Sequence, residues 1–118
     1  MRDEDVTVLA GVPTAWIGLL DYLEANNERL PRLSRVIVGG AAMTESLMRR
    51  FEAKGIEASA SWGMTELSPV GGISTHVAAV EAMPPEQQLR YRLKQGRVFF
   101  GIDMRVCGED GQELVRDG

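Results

Sequence analysis

Cysteine, histidine and lysine are nearly missing from this 118-residue sequence, which has one Cys, one His and two Lys beside eleven Arg. The single cysteine, Cys107, closes no internal disulfide, which suits a reducing cytoplasm. The single histidine, His76, has no acid or nucleophile in evident partnership, so it reads as a satisfied histidine rather than a catalytic one. No apolar run approaches the ~20 residues of a membrane span. Met1-Arg2-Asp3-Glu4-Asp5 has no apolar stretch of the kind a signal peptide carries. The net charge is -4 and the arginines are scattered. Both facts argue against nucleic acid as a partner, because a phosphate-backbone binder presents a basic face. Neither the Gly-x-Gly-x-x-Gly dinucleotide fingerprint nor the Gly-x-x-x-x-Gly-Lys-Ser/Thr phosphate loop occurs. There is no internal repeat and no low-complexity tract.

What is there alternates. Val6 to Ala10 reads as a short buried strand. Pro13 stops it, Thr14 can cap a helix, and Trp16, Leu19, Leu20 and Leu23 recur at the spacing of one apolar helical face. Asn26-Asn27 and Pro31 mark the end of that helix. Arg35 to Val38 is a second buried strand running into Gly39-Gly40. Thr44 caps the next helix, which buries Leu47, Met48 and Phe51, and Gly55 is its C′ residue. Ile56 to Ala60 is a third strand. The order strand, helix, strand, helix, strand implies a parallel sheet with right-handed crossovers. In such a sheet ligands bind beyond the carboxyl ends of the strands. Those ends carry Val12-Pro13-Thr14, Gly39-Gly40-Ala41-Ala42 and Trp62 to Glu66.

The second half is of a different kind. Val70 to Thr75 reads as a further strand. Pro84-Pro85 opens a polar surface helix over 86–95, with Leu89 and Leu93 as its apolar pair. Ile102, Met104 and Val106 alternate with polar residues, which predicts a strand with one buried face and a packed Cys107. Glu109-Asp110-Gly111 is a turn, and Glu113 to Val115 a return strand. Asp117-Gly118 is another turn signal.

The chemistry concentrates in Trp62-Gly63-Met64-Thr65-Glu66. An indole can stack on a nucleobase, a contact worth ~1–3 kcal/mol in single-stranded nucleic acid sites. Gly63 lets backbone approach a ligand. Thr65 can donate to a phosphate oxygen, and Glu66 can hold Mg²⁺, which usually takes one or two carboxylates plus substrate phosphates. On chemistry alone the plainer reading, a packed Trp and a Thr-Glu capping pair, stands ahead, because short motifs recur by chance. Gly39-Gly40-Ala41-Ala42 suits either a flat ring against backbone or a simple strand-to-helix turn. Trp16 reads as core first and as part of a ligand tunnel second.

Taken together, three loops in this order, Val12-Pro13-Thr14-Ala15-Trp16, Val38-Gly39-Gly40-Ala41-Ala42 and Trp62-Gly63-Met64-Thr65-Glu66, resemble the adenylate-forming superfamily of acyl-CoA synthetases, luciferases and peptide-synthetase adenylation domains. The last loop is similar to its Tyr/Trp-Gly-x-Thr-Glu motif. Lys94-Gln95-Gly96-Arg97, Gly101 to Val106 and Glu109-Asp110-Gly111 resemble the segment that follows. Trp62, the first loop and the Lys94-Gln95-Gly96 segment are most similar to bacterial medium- and long-chain fatty acid–CoA ligases.

The resemblance implies two half-reactions. A carboxylate attacks the α-phosphate of ATP, giving acyl-adenylate and pyrophosphate, and the coenzyme A thiolate then displaces AMP. It implies that Trp62 stacks on adenine within a nucleotide site of Gly40, Ala41, Ala42, Ser61, Trp62, Gly63, Met64 and Thr65. Thr65 and Glu66 are the implied catalytic pair, with Glu66 the Mg²⁺ ligand. Val12, Pro13, Thr14, Gly39 and Gly40 are implied to lie along the acyl pocket. Ser61 stands where many relatives have glycine. The superfamily's Ser/Thr/Gly-rich phosphate loop, ribose-binding aspartate and C-terminal catalytic lysine have no counterpart here. Neither Lys54 nor Lys94 has that lysine's context.

The expected architecture is α/β. It is part of a mostly parallel-sheet adenylation subdomain with helices on the sheet, plus a C-terminal segment resembling a β-hairpin. Residues 1–75 form the parallel unit bearing the loops, 76–96 a polar connection with a surface helix, and 97–118 the truncated start of a β-rich segment. The expectation is an internal piece of a cytoplasmic fatty acid–CoA ligase using ATP, Mg²⁺ and coenzyme A, inactive when isolated. A homo-oligomer is compatible with it. The alternatives are another adenylate-former, such as an aryl-CoA ligase or peptide-synthetase domain, and a non-catalytic truncated binding module.

Overall fold

The computed structural model describes residues 4–75 and 77–115. His76, Met1 to Asp3 and Asp117-Gly118, on which expectations were placed above, lie outside the described residues. The first half follows the alternating pattern: β1 (Val8–Gly11), α1 (Pro13–Ala25), β2 (Arg35–Val38), α2 (Glu45–Glu52) and β3 (Glu57–Trp62). After a 3-10 turn at Thr65–Leu67 come β4 (Gly72–Ile73), α3 (Ala78–Glu81), α4 (Pro85–Arg92) and β5 (Arg97–Val98). The five strands form one sheet in chain order. β1, β2 and β3 run parallel, while β4 and β5 continue the sheet antiparallel.

Register decides which residues face the core. Leu9, Val36 and Ala58 form one row, and Gly11, Val38 and Ala60 the next. These rows carry the helices, because two crossovers of constant hand put α1 and α2 on the same face. Trp16 and Leu20 of α1 meet Leu47, Met48 and Phe51 of α2 over Val36, Val38, Ala58 and Ala60. The Trp16 and Phe51 rings meet edge to face, 5.8 Å apart at 80°. Leu89 of α4 joins the same cluster and Leu93, at the end of that helix, packs against it, so the expected apolar pair anchors the helix to the core. The alternate row, Ala10, Ile37 and Ser59, faces away from the helices.

Local chemistry explains the boundaries, and two differ from expectation. Thr14 does not cap α1. Val12 is the N-cap and Pro13 is the first helical residue, since proline's fixed φ suits that position and its missing N–H costs nothing there. β1 lies two residues later than Val6, and its exposed and half-buried residues alternate, as an edge strand's do. Elsewhere Thr44 Oγ1 accepts from the Leu47 N–H at 3.2 Å. At the other end of α2, Gly55 N–H reaches Glu52 O (2.9 Å) and Ile56 N–H reaches Phe51 O (3.0 Å), the paired bonds of a Schellman end. Arg50 clamps α2 to α1 through Asp21 (2.6 Å) and both carboxylate oxygens of Glu24 (2.8 and 3.1 Å).

The C-terminal expectations are corrected. Residues 102–106 form no strand, and Met104 and Val106 are 44% and 61% exposed. Alternation buries a face only where a second layer meets it, and none of the described helices does so here. Cys107 is exposed rather than packed. The hairpin itself is present: Cys107 bridges Glu113, Gly108 N–H reaches Gln112 O and Leu114 N–H reaches Val106 O. The strand expected over Val70 to Thr75 shortens to Gly72–Ile73, and β5 and α3 were not anticipated.

Candidate functional site

The three loops singled out by the sequence leave the same end of the parallel strands, and hydrogen bonds stitch them together. The carbonyl oxygen of Gly11, the last residue of β1, accepts from the Gly39 N–H at 3.0 Å and from Trp16 Nε1 at 3.0 Å. One acceptor thus ties the first loop to the second and pins both to a buried indole. The Val12 carbonyl takes the Ala15 and Trp16 N–H groups and starts α1. Gly40 follows at φ 79°, a left-handed conformation that glycine adopts freely. A Cβ there would also meet Val12 Cγ1 at 3.0 Å.

The third loop is joined to the second through Ser61. Its buried hydroxyl donates to Val38 O at 3.2 Å. β3 continues through Ser61 and Trp62, two residues beyond the expected strand, so the indole stands on the sheet rather than in a loop. Gly63 lines the groove and also has a structural use. A Cβ at that position would come 1.8 Å from the Pro69 carbonyl oxygen, so its missing side chain admits the protein's own backbone. Thr65 and Glu66 sit in the 3-10 turn, both exposed.

A groove of about 410 Å³ runs between the loops. Val12, Gly39, Gly40, Ser61, Trp62, Gly63, Met64 and Thr65 line it. Pro13, Thr14, Ala41, Ala42 and Glu66 are not among its lining residues. Ala10, Ile37, Pro69 and Val70 line it without having been singled out. Strand alternation held the signal for two of them, since Ala10 and Ile37 face away from the helices, on the side where Val12 and Gly39 follow. Two other hollows, of about 650 and 380 Å³, lie at the amino ends of the strands and contain no residue of the three loops. The volume of the loop groove suits a small ligand.

The donor set bears on a metal. Among the described residues no three His, Cys, Asp or Glu side chains gather to hold an ion. An all-protein cage of the zinc or calcium kind therefore has no basis in those residues. A lone exposed carboxylate beside a hydroxyl, as at Glu66 and Thr65, fits an ion such as Mg²⁺ that takes its remaining ligands from substrate phosphates and water.

These features define a class. The chain matches the family described as AMP-binding enzyme over residues 1–118, and it belongs to that family. It is 40% identical over 115 residues to the long-chain-fatty-acid–CoA ligase of Thermus thermophilus, covering 98% of this chain and 21% of that enzyme. It is 38% identical over 119 residues to the medium-chain-fatty-acid–CoA ligase of Ectopseudomonas oleovorans, covering 100% of this chain and 22% of that enzyme. In three dimensions it is similar to the N-terminal domain of FACL13 from Mycobacterium tuberculosis, with a TM-score of 0.74 and 26% identity, over 96% of this chain and 26% of that one. The chain therefore spans about a fifth of the length of the curated relatives it matches.

Proposed function

We propose that this chain supplies part of the nucleotide- and acid-binding surface of an AMP-forming fatty acid–CoA ligase. The observation that carries this reading is the convergence of the three loops on one groove at the carboxyl ends of parallel strands. In this reading Trp62 stacks on adenine. Gly40, Ala41 and Ala42 let the base and the reacting carboxylate approach backbone, with Ser61, Gly63 and Met64 completing the surround. Thr65 holds a phosphate oxygen by its hydroxyl. Glu66 holds Mg²⁺, which when bound neutralises phosphate charge. Val12, Pro13, Thr14 and Gly39 border the acyl chain. The apolar wall of Ala10, Ile37 and Val70 supports an aliphatic acid.

The chemistry asks these residues for positioning and charge stabilisation. A carboxylate oxygen bonds to the α-phosphorus as the bond to pyrophosphate breaks. The coenzyme A sulfur then bonds to the acyl carbon as AMP departs. No residue of this chain resembles the superfamily's phosphate loop or catalytic lysine, so the chain by itself is proposed to make no acyl-adenylate.

The test is acyl-CoA formation from ATP, Mg²⁺, coenzyme A and a panel of carboxylic acids. It is run on this chain and on the reading frame carried outward to the length of the relatives. The proposal predicts turnover of fatty acids by the longer product alone. Turnover by the 118-residue chain would contradict its incompleteness, and preference for aryl or amino acids would contradict the substrate class.

A further inference from the structure

We propose that Gly71 is a positioning residue that seats the Trp62 indole for stacking on the base. The inference rests on the nucleotide reading above and goes beyond it to a residue outside the three loops. Gly71 is buried at the start of the β3–β4 pairing, where its N–H donates to Trp62 O at 2.8 Å and its carbonyl accepts from the Phe99 N–H at 3.0 Å. Its backbone is thus held from both sides. A Cβ there would fall 2.5 Å from Trp62 Cζ3 and 2.8 Å from Cε3, the carbons of the six-membered ring, and 2.7 Å from Leu67 Cδ1. Contacts that short do not persist, so something must shift. The backbone is fixed, and the end of Leu67 can turn away. The rigid indole has no such freedom and must rotate as a whole.

Trp62 lines the groove, whereas Gly71 and Leu67 do not. The ring is therefore gripped from behind by a glycine and a leucine while its remaining surface borders the ligand space. A methyl group on Gly71 changes the ring's angle from behind, without itself reaching the groove lining beyond Trp62. A single six-membered ring at position 62 lacks the fused carbons that meet Gly71, so it tolerates a methyl group there.

The experiment compares the wild type, Gly71→Ala, Trp62→Phe and the double variant by two readouts. The first needs no ligand: the Trp62 indole N–H resonance moves in Gly71→Ala while that of Trp16 stays in place. The second is the affinity for AMP. Gly71→Ala should weaken it by about tenfold, the scale of one lost base stack. The double variant should bind like Trp62→Phe alone. An unmoved Trp62 resonance overturns the seating. A moved resonance with unchanged AMP affinity overturns its link to the base. If Gly71→Ala fails to fold, folding of the double variant supports the contact, and failure of both assigns the clash elsewhere and overturns the proposal. If the wild type has no affinity for AMP, the nucleotide reading fails, while the indole resonance still reports whether Gly71 sets the ring.

Discussion

The Ser61 hydroxyl oxygen occupies the space beside Gly39: a methyl group on Gly39 would lie 2.6 Å from it. The Ser61 O–H also donates to Val38 O, so the hydroxyl cannot turn away without breaking a buried hydrogen bond. Gly39→Ala is expected to destabilise the fold by about 1–3 kcal/mol, the cost of a buried polar group losing its partner. Ser61→Gly removes the obstacle. Urea melts of both single variants and the double should show a coupling of about 0.5–3 kcal/mol in favour of the pair. Strict additivity would mean the two loops are not in register as described.

Trp16→Phe removes the indole N–H from Gly11 O and part of the ring that packs in the core on Phe51. That oxygen retains the Gly39 N–H and is not orphaned. The expected loss is about 3 kcal/mol, about 1 for the hydrogen bond and about 2 for the ring atoms removed from a buried site. Denaturant unfolding checks it, and a loss well under 1 kcal/mol would contradict the burial of the indole and its hydrogen bond.

Phe51 has no exposed surface and touches both helices and the sheet. Phe51→Ala should cost about 3–5 kcal/mol, a large share of the ~5–15 kcal/mol that holds a domain folded. Far-UV circular dichroism on heating should show a melt that is much lower or absent. A melt near that of the wild type would place the core elsewhere.

The Arg50 guanidinium, hydrogen-bonded to Glu24, holds that carboxyl below its ordinary pKa. The folded value is lower than the unfolded one, so the contribution to stability is complete above the ordinary carboxylate range. It disappears as pH falls through the folded value. Wild type and Glu24→Gln should differ in urea midpoint at pH 7 and converge only as pH falls below the ordinary carboxylate range. Glu24 is exposed and Arg50 half-buried, so the gap should shrink as salt is added. A gap that widens in acid would reverse the sign and exclude the clamp.

Much of the first half was legible because periodicity and punctuation agreed there. Arg35 to Val38 is a strand with the expected bounds, Thr44 caps α2, and Gly55 ends it. The site loops could be found because they sit where strands run into glycine. Trp16 as core was also readable from its helical spacing. What escaped depended on partners distant in sequence. Val98 joins a sheet through Gly72, and two-residue strands leave no periodic trace. Met104 and Val106 have an alternating pattern, yet both stay exposed. The motif does not show that the missing side chain of Gly63 also makes room for Pro69 O. No feature of the sequence marks Gly71, whose importance comes from the ring it faces.

The most direct test of the account is a titration of the ¹⁵N-labelled chain with AMP, followed by its amide resonances. The account predicts weak, saturable binding, with a Kd of about 1 mM or −4 kcal/mol. The shifts should gather at Gly39, Gly40, Trp62, Met64 and Thr65, while Leu30, Lys54 and Ile56 at the far end of the strands stay still. Saturable shifts at that far end, or none anywhere up to 20-fold above that concentration (about 20 mM), would contradict the assignment of the groove to the nucleotide.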